Sequence, residues 1–304
     1  MQTILGAGGA IGTPLAKELK KYTDNIRLVA RNPKQVNGTD ELVAADLTVG
    51  EQVNRAVAGS EVVYLMAGLE YNRKVWQRDW PAVMSHVINA CLQYNARLVF
   101  LDNVYMYAAS EISHMTETSV IAPPSVKGKV RAQLQEMLFT AIQQRGLKAL
   151  IARSADFYGP SVKNSPLGIM VADEYRKGKK AFWQVDASKT HTFTYTPDAA
   201  KATALLGNTP DAYDQVWHLP TSSEKLTGRD FIEKVAAEMK VAPKYYIFSR
   251  GMMGLMGLFV PIVKELKEMA YQYDRDYVFN SSKFEQRFGF TPTSYTEGIK
   301  SMLQ

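Results

Sequence analysis

The sequence predicts an α/β protein, a Rossmann-type doubly wound parallel sheet followed by a smaller, mostly helical C-terminal substrate lobe. Short β-rich runs, QTILGA, IRLVA, ELVAAD, EVVYLMA, RLVFLD and KALIARS, alternate with amphipathic stretches. The runs are nearly continuous in Val, Ile, Leu and Ala, as expected when helices cover both faces of a parallel sheet. A glycine cluster directly follows the first run and opens a helical segment, the context in which such a cluster binds a ligand.

In chain order, helices are expected at GTPLAKELKK, with Pro14 in its first turn, at EQVNRAVAG, at WPAVMSHVINACLQ and at KVRAQLQEMLFTAIQQRG, which Gly146 stops. Beyond Pro160 the rhythm turns to loops, then a helix from Pro197 to Leu206, a strand VWHLP and a helical last third. At roughly 150 residues per domain, 304 residues make about two. The expected division is a dinucleotide-binding core of residues 1–160 and 185–220 and a substrate lobe of residues 161–184 and 221–304. Ligands of such sheets sit at the carboxyl ends of the strands, so the residues after each run are the functional candidates.

Composition excludes several classes. Charged residues are 22% and hydrophobic ones 46%, which is globular rather than disordered. The net charge of +6 is spread along the chain, with no Arg-rich stripe, so no nucleic-acid partner is expected. The single cysteine, Cys91, lies in an apolar helical stretch, so no intrachain disulfide forms, an inert core thiol is expected and the expected compartment is cytoplasmic. Met1 to Gly12 reads as a strand rather than a signal peptide. Gly251 to Val263, GMMGLMGLFVPIV, is shorter than the roughly 18 apolar residues of a transmembrane span. It is expected to be a buried helix, with a membrane-surface or partner-docking helix between Arg250 and Lys264 as the alternative. His86, His114, His191 and His218 are scattered without metal-ligand spacing, and no Gly-x-Ser-x-Gly elbow appears, so neither a metal nor a hydrolase triad is expected.

The glycine cluster is Gly6-Ala-Gly-Gly9-Ala10-Ile11-Gly12. Gly6, Gly9 and Gly12, spaced three and three, lack the Cβ atoms that would keep backbone N–H groups from a pyrophosphate. After the second run come Ala30, Arg31 and Asn32 where an acidic residue would bind the ribose of NAD; a guanidinium there suits a 2′-phosphate, so NADP is expected over NAD. The other reading of Arg31 is a solvated loop charge. Asp46 and Leu47 are placed to meet the adenine edge, or Asp46 caps the helix starting near Glu51. Ala67 and Gly68 end the fourth run with side chains small enough for close approach to a phosphate or ribose.

With GAGGAIG, Asp46-Leu47, RLVFLDNVYMY, RSADFYGP, FTYTPDAAKA and SSKFEQRFGFTPTS, the chain resembles the short-chain dehydrogenase/reductase superfamily over nearly its whole length. The branch it resembles is that of the extended and atypical NAD-dependent epimerase/dehydratase-like proteins. The resemblance implies a dinucleotide cofactor, with Ala155 of RSADFYGP beside it, a small-molecule substrate such as a carbonyl compound or nucleotide sugar, and room for a homodimer. The family's Ser or Thr after the fifth strand falls on Asn103. Its Tyr-x-x-x-Lys falls either on Lys127 and Arg131 or on Ser125 and Lys129, so no phenol stands at the usual acid/base position. Lys127 and Tyr105 are the candidate proton donors, Asn103 would orient the carbonyl, and Arg131 would engage the cofactor ribose; Tyr107 matches the family's structural tyrosine. Two functions remain, an NADP-binding oxidoreductase or epimerase-like enzyme and a catalytically silent dinucleotide-binding redox sensor or docking protein.

Overall fold

A computed structural model describes residues 1–160, 162 and 165–304; positions 161, 163 and 164 of the expected lobe segment lie outside the described residues. The chain divides into two compact units. The first comprises Met1–Met106, Lys127–Ser154 and Ala199–Leu219, and the second Tyr107–Val126, Ala155–Asp198 and Pro220–Gln304.

The first unit opens with β1 (Gln2–Leu5), α1 (Gly12–Leu19), β2 (Ile26–Ala30), β3 (Glu41–Ala44), α2 (Gly50–Val57), β4 (Val62–Leu65), α3 (Arg73–Gln93) and β5 (Arg97–Asp102). It continues with α4 (Val126–Arg145) and β6 (Ala149–Arg153). The chain then builds β7 (Asp156–Tyr158), α5 (Asp173–Arg176), β8 (Ala181–Gln184) and β9 (Phe193–Tyr195) before α6 (Thr196–Gly207) and β10 (Val216–His218) complete the sheet. Seven strands lie in the order β10-β6-β5-β4-β1-β2-β3, every pair parallel. The order reverses between β1 and β4, which is where sheets of this kind open a ligand crevice.

The expected β-rich runs all become strands. The central ones are fully buried, whereas β3 is an edge strand with three of its four residues exposed. The helix expected from Trp80 instead starts at Arg73, because the side chain of Asn72 accepts from Lys74 N and Val75 N and satisfies its first turn. Pro81 therefore lies inside α3. Gly146, at φ +71°, stops α4 as expected. The core of this unit joins Trp80, Met84, Val87 and Cys91 of α3 to Leu134 and Leu138 of α4 and to β4 and β5. Burial pushes the Cys91 thiol up to about 12.

The second unit continues with α7 (Gly228–Glu238), β11 (Tyr245–Phe248), α8 (Arg250–Met256), α9 (Pro261–Glu268), α10 (Ser282–Phe288) and α11 (Tyr295–Leu303). Two parallel pairs, β7 with β9 and β8 with β11, pack on a core that includes Tyr158, Trp183, Phe193, Phe231 and Tyr295. This unit takes in residues 107–126, 155–160 and 185–198, which the sequence places in the first. The reason is local pairing: Met115 bridges Phe279, and His191 bridges Tyr277, tying those segments to the C-terminal third. Gly251–Val263 is not a buried helix but two short helices and their turn, with Leu258 76% and Phe259 80% exposed. Among the described residues, no helix is long and apolar enough to cross a membrane.

Candidate functional site

The glycine turn follows β1, and its geometry separates three roles. Gly6 adopts φ +89°, and a Cβ on it would lie 2.5 Å from Ala67 Cα. The turn after β1 thus lies edge to edge with the Ala67-Gly68 turn after β4. A Cβ on Gly12 would lie 2.3 Å from Ala7 O, so glycine lets α1 start directly against the preceding turn. Gly9 is different. Its nearest neighbours, Gly6 O and Met66 O, would stand 3.4 Å from a Cβ, a tight contact that the fold can bear.

Gly9 and Ala10 are exposed, and Ile11, at the helix N-cap position, is buried and supplies no side-chain cap. Gly12 N donates to Gly9 O at 3.2 Å, Leu15 N donates to Ile11 O at 2.8 Å and Pro14 has no N–H, so at the start of α1 it is the Thr13 N–H that faces the open turn without a side-chain cap. An anion such as a pyrophosphate suits that N–H group. A side chain on Gly9 would occupy that open space, so the residues present fit a dinucleotide.

Arg31 follows β2 and is exposed, and its charge contributes to lowering the pKa of Asp46. The larger causes are the bonds that Asp46 Oδ1 accepts from Thr48 N (2.9 Å) and Thr48 Oγ1 (2.8 Å). Asp46 thus closes a turn on Thr48 instead of capping α2, whose N-cap is Val49. The Leu47 carbonyl contacts His86 Nδ1 at 3.2 Å.

Around the carboxyl ends of β4, β5 and β6 the first unit gathers aromatic and charged side chains. Tyr105 stacks on Trp76 (6.1 Å, 18°), and its hydroxyl lies 3.3 Å from that of Tyr71. The Lys127 ammonium sits over the Tyr71 ring, 4.6 Å from its centre, and is fully buried. Asn103 Oδ1 accepts from Tyr105 N at 3.0 Å, which leaves the NH₂ end of the amide to donate to a ligand.

Arg131 is turned inward. Its guanidinium stands over Trp80 (4.2 Å) and Trp76 (4.8 Å) and 3.5 Å from Asp102 Oδ1. Burial lowers its pKa, against the opposing effect of Asp102. On the other side Asp102 meets Arg153 at 3.2 Å, and Arg153 also donates to Gln135 at 2.6 Å. The structure thus gives Arg131, the residue expected at the cofactor ribose, a buried place beside a carboxylate and two indoles. Sequence reasoning missed Tyr71, Trp76 and the Asp102–Arg153 pair. A signal for the last existed: RLVFLD and ALIAR end in opposite charges, and the strand register sets Asp102 opposite Arg153.

In the second unit, Ala155 is buried and its N–H donates to Thr194 Oγ1 at 3.1 Å. Tyr107 is fully buried and bridges Ile121, and Ser125 is buried while Lys129, on α4 of the first unit, is exposed. Among the described residues no group of three or more His, Cys, Asp or Glu side chains is placed to hold a metal ion.

A glycine turn spaced three and three, at the point where a seven-stranded parallel sheet reverses its order, coincides with a sequence-profile match. The profile of the NAD dependent epimerase/dehydratase family matches residues 3–218. The chain belongs to that family. Among its relatives, the 3beta-hydroxysteroid-dehydrogenase/decarboxylase isoform 1 of Arabidopsis thaliana is 23% identical over 298 residues, covering 88% of this chain and 67% of that protein. The UDP-glucose 4-epimerase of Thermus thermophilus, solved with NAD, shares the fold at a TM-score of 0.79 and 19% identity, covering 100% of this chain and 98% of that one. The Streptomyces venezuelae dTDP-glucose 4,6-dehydratase DesIV, a double mutant solved with NAD, shares it at 0.79 and 15%, covering 100% and 95%. Both solved family folds hold NAD, so the expectation of NADP draws no support from them and rests on Arg31 alone.

Proposed function

We propose that this member of the epimerase/dehydratase family is an oxidoreductase or epimerase that uses a nicotinamide dinucleotide on a carbonyl or nucleotide-sugar-like substrate. The observation that carries this reading is the pair of phenols, Tyr71 and Tyr105, with their hydroxyls 3.3 Å apart and the Lys127 ammonium 4.6 Å from the centre of the Tyr71 ring. They follow β4, which pairs with β1 and its glycine turn, and β5, which pairs with β4.

When bound, the dinucleotide accepts or supplies the hydride. The chain's own residues do the rest. The Gly6–Gly12 turn and the Thr13 N–H at the start of α1 would hold the pyrophosphate. The Asn103 NH₂ group donates to the substrate oxygen and orients it. Tyr105, half-buried and fixed by its stack on Trp76, moves the proton to or from that oxygen, and Tyr71 shares it through their hydrogen bond. Lys127 is a positioning residue: fully buried, it acts through Tyr71, its positive charge stabilising the phenoxide left when the proton departs. Phenols from two loops thus replace the tyrosine that the family carries on the following helix.

Arg31, the exposed residue that follows β2, supports the phosphorylated cofactor, because its guanidinium suits a 2′-phosphate where an acidic residue would favour NAD. Wild type is expected to bind NADPH more tightly than NADH, and Arg31→Ala to erase the preference, a difference on the order of 1.5 to 3 kcal/mol. Equal affinities in wild type at one ionic strength would return the cofactor to NAD.

Turnover of reduced dinucleotide against a panel of carbonyl compounds and nucleotide sugars tests the reading. Tyr105→Phe is expected to lower kcat by about a hundredfold to ten-thousandfold and to leave dinucleotide affinity unchanged. Lys127→Met is expected to lower it less. Full activity in Tyr105→Phe would remove the phenol from the mechanism. Dinucleotide binding without turnover of any substrate would favour the silent sensor, the reading that the missing Tyr-x-x-x-Lys supports, whether Lys127 and Arg131 or Ser125 and Lys129 stand in its place.

A further inference from the structure

We propose that the hairpin formed by α8 and α9 is an interfacial anchor that inserts into the surface of a lipid bilayer containing anionic lipids. From Gly251 to Val263 no residue carries a charge or a polar side chain. Only two of its side chains are turned into the protein: Met253 and Val263 pack with Phe248 and Ala270, and so seat the hairpin on the second unit. The others point away. Met252, Leu255, Met256, Leu258, Phe259 and Ile262 are exposed together around one turn. A contiguous apolar surface of this kind marks an interaction site.

The turn itself is built to project. A Cβ on Gly257 would lie 2.8 Å from Met253 O and 3.3 Å from the backbone of Lys264, so glycine lets the end of α8 approach the start of α9 closely. The turn between the helices holds the two most exposed of these side chains, Leu258 and Phe259.

Length and charge select the occupant. The helices have seven and eight residues, so each is about 10 to 12 Å long. That reaches through the roughly 5 to 10 Å headgroup and acyl boundary and falls far short of the roughly 30 Å hydrocarbon core. The two acidic residues of α9 are withdrawn: Glu265 is buried, and Glu268 accepts the N–H of Val126. Lys264 and Lys267 on the same helix are exposed. Arg250, at the base of α8, pairs with Asp274. A convex tip of large apolar side chains flanked by exposed lysines matches a fluid, negatively charged surface: the tip enters the acyl layer, and the lysines remain at the headgroups. This inference goes beyond the cofactor reading and stands without it, since lipid binding needs neither dinucleotide nor turnover.

Flotation of the whole chain with vesicles of phosphatidylcholine, alone or mixed with phosphatidylserine, tests it. Wild type is expected to float with the mixed vesicles, less with the neutral ones, and less again at high salt. Leu258→Ser with Phe259→Ser, both at exposed positions, is expected to cut the bound fraction about tenfold or more, with circular dichroism unchanged. Lys264→Glu with Lys267→Glu is expected to abolish the preference for the anionic vesicles. The proposal fails if wild type floats with neither vesicle, or if the double serine variant floats as wild type does. It fails equally if nothing floats while wild type sediments as a larger species that the double serine variant dissociates, because a second copy of this chain is then what covers the hairpin.

Discussion

Gly9 and Gly12 stand three residues apart in one turn and are required for different reasons. An alanine at Gly12 would drive its Cβ to 2.3 Å from Ala7 O and 2.6 Å from Ala7 C, backbone atoms that cannot swing aside. Gly12→Ala is therefore expected to destabilise the fold, by about 1 to 3 kcal/mol as for other overpacked sites. Gly9→Ala meets only contacts of 3.4 Å and should keep the wild-type unfolding temperature, yet its methyl group enters the space a pyrophosphate needs. Thermal unfolding and calorimetric titration with dinucleotide separate the two effects. Wild-type affinity in Gly9→Ala would show that the turn does not bind the ligand. The glycine spacing was legible in the sequence because the three glycines fall within one turn directly after a strand; that Gly6 also answers to Ala67 after β4 was not. The Tyr71–Tyr105–Lys127 cluster was not, since its members lie 34 and 22 residues apart and only the sheet brings them together. Arg131 shows the same limit: its position in α4 was readable, and the direction of its side chain depended on Trp80 and Asp102.

At the scale of elements, α7 carries a cap that its own sequence specifies. Thr227 accepts from Asp230 N, while Asp230 accepts from Thr227 N at 2.7 Å and Thr227 Oγ1 at 2.6 Å. These bonds hold the Asp230 carboxyl below its usual range, the Thr227 hydroxyl contributing most. A depressed carboxyl contributes stability above the ordinary carboxylate pKa, and that contribution is lost as pH falls through the folded value. Thr227→Ala is expected to cost about 1 kcal/mol near neutral pH and less at low pH, where Asp230 is protonated in both states. Unfolding midpoints of both proteins across that range check it, and an undiminished difference at the acid end would mean that the cap does not act through the carboxylate. Elsewhere, local signals competed. Trp80-Pro81 reads as the start of α3, but Asn72 caps a helix that begins about two turns earlier and accommodates the proline within it. The run from Gly251 to Val263 reads as core because it is apolar, yet hydrophobicity records only what a segment avoids in water and not which surface covers it.

For the whole molecule, the sequence by itself determined the parallel sheet, its chain order of strands and helices and the glycine turn after β1, because each is written in contiguous residues: apolar runs of strand length, helical periodicity, and glycines at fixed spacing after a strand. The profile match to the epimerase/dehydratase family, over residues 3–218, spans these same segments. The division between the two units was decided by tertiary structure. Residues 107–126 and 185–198 carry no compositional mark of their unit and join the second through bridges to Phe279, Tyr277 and Thr227. Only the folded chain also shows that phenols from two loops meet above a buried lysine, that Asp102 lies between two arginines, and that an apolar hairpin faces outward. In each case the deciding energies are contacts between residues far apart in sequence, and no local pattern encodes them.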